Sequence, residues 1–113
     1  LRCVGVQTAI AFWCHDSEAC WASAGDVDVQ VQLPTNDVDG LGSAVRNGGF
    51  CAVFLFVYPH QIITNLPDGV RQRPATEYLS WEDAQTMHHR GVPVALISDV
   101  VRFLAAAQEG GVF

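Results

Sequence analysis

Side chains able to do chemistry near neutral pH are few in this chain, and the four histidines come first. An imidazole changes charge between about pH 5 and 8, which suits it to proton transfer, ligand binding and metal ligation. His88-His89-Arg90 is the densest polar cluster. Its position at the end of a predicted helix already suits cations, which the helix dipole favours there. Neighbouring helical residues point about 100° apart, so His88 and His89 do not converge on one metal ion. His60 follows Tyr58-Pro59 at the end of a long apolar run, where a kink would open a pocket beside the polar end of Tyr58. Arg71 and Arg73 alternate onto one side of a predicted strand and suit an anionic ligand or an acidic partner surface. Trp13, Trp21, Tyr58, Tyr78 and Trp81 combine an apolar body with a polar handle and suit a pocket lining. The expected ligand-binding set is therefore Tyr58, His60, Arg71, Arg73, Trp81 and His88.

No catalytic constellation follows from these residues. The chain has no lysine, which excludes a Schiff-base lysine and the lysine of a phosphate-binding P-loop. Gly40-Leu-Gly-Ser-Ala-Val45 begins like a dinucleotide loop but has Val45 at the third small position, and Ser43 lacks the flanking of a nucleophile elbow. Cys3, Cys14, Cys20 and Cys51 match no zinc spacing, although Cys14-His15 with Cys20 supplies three ligand types. The expectation is reduced, structural thiols, with no metal and no cofactor.

The elements that must position these groups start from Phe50-Cys-Ala-Val-Phe-Leu-Phe-Val-Tyr58, bounded by Gly48-Gly49 and Pro59. Its β-branched and aromatic content predicts a strand. Phe54 and Phe56 face one way and Val53, Leu55 and Val57 the other, so it requires cover on both faces. Val4 to Trp13 alternates like a strand, the reading preferred, although Val6, Ile10, Trp13 and Cys14 also fall at helical spacing, and Asp16 to Gly25 reads as a loop or short helical turn carrying Trp21. Asp26 to Leu33 alternates valine with polar residues and predicts a half-buried antiparallel strand. Leu41 to Arg46 fits one or two helical turns, stopped at Asn47-Gly48. Leu66-Pro-Asp-Gly69 predicts a tight turn with Gly69 at positive φ, joining two strands as a hairpin. Ser80-Trp-Glu-Asp83 predicts a capping box for a helix ending before Gly91. Val92 to Ile97 fits a last edge strand followed by a Ser98-capped helix whose buried stripe is Val100, Val101, Phe103, Leu104 and Ala107; one helix from Pro93 through Gln108 is the alternative. The resulting fold class is α+β: a mostly antiparallel sheet of four to five strands with two C-terminal helices packed on one face, in a single compact domain spanning residues 1–113.

Half of the residues are hydrophobic and 16% charged, so self-association would cover the apolar surplus and a homo-oligomer is expected. The net charge of −6 disfavours nucleic acid. No run is long enough for a membrane span. Arg2, the apolar run to Cys14 and Ala22-Ser-Ala24 imitate a signal peptide, but His15, Asp16 and Glu18 place charge against the cleavage region, and a cytoplasmic location is expected. The leading functional reading is a non-catalytic small-molecule or protein-binding module that self-associates. A small enzyme with a pocket around His60 and Arg71/Arg73 is the alternative. The third rests on Gly91-Val-Pro-Val-Ala and Ile97-Ser-Asp-Val-Val-Arg-Phe-Leu104, which resemble part of a helix-turn-helix and would imply a DNA-binding regulator.

Overall fold

A computed structural model describes residues 8–14 and 18–111, the side chains of residues 18 and 19 excepted. Cys3, His15 and Asp16, the start of the first expected strand, and Val112 and Phe113 lie outside the described residues. Five strands and four helices follow in the order β1 (Ala9–Phe12), α1 (Glu18–Ala22), β2 (Val29–Val31), α2 (Thr35–Asn47), β3 (Val53–Val57), β4 (Gln61–Ile63), β5 (Val70–Pro74), α3 (Trp81–His89) and α4 (Val94–Glu109).

The apolar run is the central strand, as its composition implies. β1 and β5 flank β3, and both pair with it in parallel, in register from Ala9↔Val53 and from Val53↔Val70. β2 and β4 form a second, two-stranded parallel sheet. The expected antiparallel sheet is therefore corrected: every described strand pair is parallel. A strand with near-continuous apolar character on both faces is the usual mark of a parallel sheet, since crossovers place cover on both sides. That cover is α2 on one face, over Leu33, Val53, Leu55, Val57 and Val70. On the other face, α3, carrying Trp81, and α4 lie over Ile10, Phe56 and Tyr58. The expectation of two C-terminal helices packed on one face is likewise corrected: helices cover both faces, with α2 enclosing the side opposite α3 and α4.

Several local readings hold and others fail for identifiable reasons. Ser80 caps α3 by accepting from the Asp83 amide at 3.1 Å, and Gly91 follows that helix at φ 88°. The turn before β5 is present: Gly69 has φ 86° and the Val70 amide donates to Pro67 O at 3.2 Å. It makes no hairpin, because β4 and β5 belong to different sheets. The valine alternation yields only three residues of strand, and Val27 is 68% exposed. Pro34 starts α2 six residues earlier than expected, carrying the helix through Gly40 and Gly42. Val92 to Ile97 is no strand. Pro93 instead precedes the single helix α4, its carbonyl accepting from the Leu96 and Ile97 amides. That helix buries Ile97, Val101 and Ala105 and turns Phe103 and Leu104 outward, which corrects the expected stripe. Cys14 and Cys20 are reduced thiols, whereas Cys51 is disulfide-bonded, so the expectation of reduced thiols throughout is also corrected. Among the described residues no helix is long and apolar enough to cross a membrane.

Candidate functional site

In parallel sheets the carboxyl ends of the strands are where side chains from successive strands converge and ligands bind. Here β3 ends at Val57 and leads into Tyr58, Pro59 and His60. The Gln61 amide donates back to Tyr58 O at 2.9 Å, so the chain turns sharply from one sheet into the other. His60 sits in that turn. Its carbonyl accepts from the Val29 amide at 2.7 Å, which ties the turn to β2, while its ring points inward. β1 delivers Cys14 to the same end, where the Gln61 amide group donates to its sulfur at 3.4 Å.

Five rings gather at this point. Trp81, on the first turn of α3, packs against Tyr58 at 4.9 Å and His60 at 4.6 Å between ring centroids. Trp21 of α1 stacks on Trp81 at 4.9 Å, and His88, two turns along α3, stacks on the other side of Trp21 at 4.4 Å with only 14° between planes. Trp21 is thus sandwiched between an indole and an imidazole. The arrangement is fixed by polar contacts at the end of α1. Trp81 Nε1 donates to Ser23 O at 2.9 Å, and Gln85 Nε2 donates to both Trp21 O at 2.7 Å and Ser23 O at 2.6 Å. Trp81 and Gln85 are four residues apart on α3, on one helix face, and together they receive carbonyls that a short helix leaves open. Gly25, at φ 77°, brings the backbone against this group: a Cβ there would stand 2.8 Å from Trp81 Cδ1.

The polar ends of this aromatic group are the unusual feature. Trp21 Nε1, Tyr58 Oη, His60 Nε2 and His88 Nδ1 are all buried and have no hydrogen-bond partner among the described residues. Native interiors leave few such atoms, and each costs about 1–3 kcal/mol when nothing meets it. Burial pushes the Tyr58 phenol far above its ordinary value, with Cys14 and Asp83 adding to the effect, so it remains a neutral hydroxyl. Burial lowers the His60 pKa, against an opposing pull from Asp28, so its imidazole is held neutral. A hollow of about 370 Å³ lined by Trp21, Ala22, His88 and His89 opens beside the stack. Tyr58 and His60 can therefore donate and accept hydrogen bonds as neutral groups in an aromatic setting. Among the described residues no three histidines, cysteines or carboxylates gather as metal ligands.

Of the six expected site residues, Tyr58, His60, Trp81 and His88 come together here, with Trp21 as the link between His88 and the rest. Arg71 and Arg73 are placed elsewhere, on β5. Arg71 is exposed. Arg73 lies over the Phe54 and Phe56 rings at 4.9 and 5.2 Å, reaches Glu77 with both Nε and Nη2, and pairs with Glu109. Tyr78 Oη lies 3.4 Å from the same Glu109 carboxylate. This clamp ties β5 to the end of α4 and covers the half-buried Phe54. Trp21 was recognisable only as one of several aromatics. The roles of Ser23 and Gln85 had no sequence signal, because both depend on where α1 ends in space. Comparison with known protein families, with characterised proteins and with solved structures gives no match.

Proposed function

We propose that this chain is a non-catalytic module that binds a small neutral molecule at the Trp21–Tyr58–His60–Trp81–His88 group and works as a self-associated assembly. The observation that carries the reading is the concentration of four unmatched buried polar atoms within one continuous aromatic cluster. A ligand with both acceptors and donors, such as a planar nitrogen heterocycle, would satisfy them and stack on the surrounding rings. The neutral state of Tyr58 and His60 favours a neutral ligand over an ion. The binding reading is favoured over an enzyme because the residues which that reading set beside His60 lie elsewhere: Arg71 is exposed on β5 and Arg73 is engaged by Glu77 and Glu109. It is favoured over a DNA-binding regulator because the outward face of α4 is apolar, with Leu96 and Phe103 exposed where phosphates would need basic side chains.

The test is thermal unfolding followed by tryptophan fluorescence in the presence of adenine, nicotinamide or imidazole, with glucose and citrate as controls. At least one heterocycle should raise the melting temperature in a concentration-dependent manner, as ligand binding to the folded state requires. His88→Ala should remove that rise while leaving a cooperative transition. A melting temperature unmoved by every heterocycle at millimolar concentration would overturn the reading.

A further inference from the structure

A second hollow lies on the α2 face of the main sheet, at the carboxyl end of β1, and measures about 220 Å³. Leu33, Leu41 and Leu55 give it an apolar lining, and Leu33 and Leu55 are buried. Trp13, the residue after β1, adds an aromatic ring, and its amide donates to Phe56 O at 3.1 Å. Asn65 holds the Leu33 backbone from both sides: its Oδ1 accepts from the Leu33 amide at 2.7 Å and its Nδ2 donates to Leu33 O at 3.0 Å. Pro34 follows at once and starts α2, so Asn36 and Asp37 of the first turn stand at the exposed edge of the hollow.

Gly40 bears on what the hollow is for. It lies inside α2, its φ is not positive, and it also lines the hollow. Glycine weakens a helix interior relative to alanine. No turn requires a glycine at this position, and nothing lies within 4 Å of where its Cβ would stand. Its effect is to keep one side of the hollow clear of any side chain.

We propose that this hollow binds a small molecule with an aromatic body and a protonated amine, at a site separate from the Trp21–His88 group. A dry apolar cavity of about 150 Å³ holds a benzene ring, so this one has room for a ring and a short arm. Charge selects the amine. Among the described residues of the lining, Asp37 alone is charged. The sequence has no lysine or arginine between Arg2 and Arg46. Arg46 itself folds back against Gly42, about 200° round the helix from Gly40. The start of α2 favours an anion, and Asp37 already supplies one. A second anion would face that carboxylate, whereas an ammonium group pairs with it, and the Trp13 indole in the same lining also favours a cation.

Proton–nitrogen NMR of the full chain, titrated separately with phenethylamine, phenethyl alcohol and phenylacetate at neutral pH, tests this. The three share a ring and a short arm and differ in charge. Phenethylamine should move the Trp13 indole resonance progressively and saturably while leaving Trp21 in place, and phenylacetate should bind most weakly. Asp37→Asn should weaken the amine about two- to fivefold, the range of an exposed ion pair, and leave the alcohol unchanged. Gly40→Leu, which places a side chain at the open side, should abolish the Trp13 response to all three. Far-UV circular dichroism verifies that both variants are folded. A Trp13 resonance unmoved by millimolar phenethylamine, phenylacetate binding as tightly as the amine, or amine binding unchanged in both variants would overturn the proposal.

Discussion

The behaviour of single residues around Trp81 follows from how little room the site leaves. Gly25 combines a left-handed φ with a close approach to a ring that its own hydrogen bond to Ser23 holds in place. Gly25→Ala should therefore destabilise by about 1–3 kcal/mol, measured by urea unfolding, and alter the tryptophan emission. An alanine variant as stable as wild type would contradict the packing described. His60 gives a pH signature whose sign is fixed by its environment. Burial sets its folded pKa below the ordinary 6.5, so as pH falls through that value the unfolded chain takes up a proton that the folded chain refuses. Its neutral form thus contributes stability that is fully present above about pH 6.5 and declines below it. Urea unfolding at pH 7.5 and 5.5 should show a larger acid loss for wild type than for His60→Gln; equal losses would contradict the assignment. These residues were legible to different degrees. His60 stood out because an imidazole at the end of an apolar run is chemically conspicuous. Gly25 did not, because its requirement comes from Trp81, 56 positions later, and not from its neighbours.

At the scale of elements, β3 decides the architecture. Leu55 is 1% exposed beneath α2, whereas Phe54 on the opposite face is only half-buried, its ring covered by Arg73. Leu55→Ala should cost about 2–5 kcal/mol in equilibrium unfolding, and Phe54→Ala less than Leu55→Ala. The reverse order would contradict the two-sided packing of β3. The position and double-sided character of this strand were legible from residues 50–58, and the helix after Ser80 from its cap. Strand direction was missed, although the same apolar run contained the signal. The alternation of Asp26 to Leu33 and the Leu66–Gly69 turn both suggested antiparallel neighbours, and local patterns of this kind do not reveal which sheet a strand joins. α4 was misread for a related reason. Its sequence is apolar over more than half of its circumference, so periodicity alone gives two candidate stripes, and only contact with β1 and α3 selects Ile97, Val101 and Ala105.

For the whole molecule, the two faces of the main sheet have different characters. The α2 face is a plain aliphatic core, built from Leu33, Val53, Leu55, Val57 and Val70. The α3–α4 face carries the stacked tryptophans, the tyrosine and the histidines at the carboxyl end of β3, with hydrogen-bonding capacity that no described residue meets. A core needed only for stability would exclude such groups, because apolar packing would be as firm without the desolvation cost. The composition pointed to aromatics and histidines, but their assembly into one group depends on α1, a five-residue helix whose placement no periodicity encodes. The most direct test is the proton–nitrogen NMR spectrum of the three tryptophan indole groups as adenine is added. Trp13 packs on the α2 side, away from this group, so it serves as the internal reference. The Trp21 indole N–H resonance should move progressively and saturably, with Trp13 shifting much less. No movement of Trp21 up to millimolar adenine, or equal movement of Trp13, would contradict a ligand site at this aromatic group.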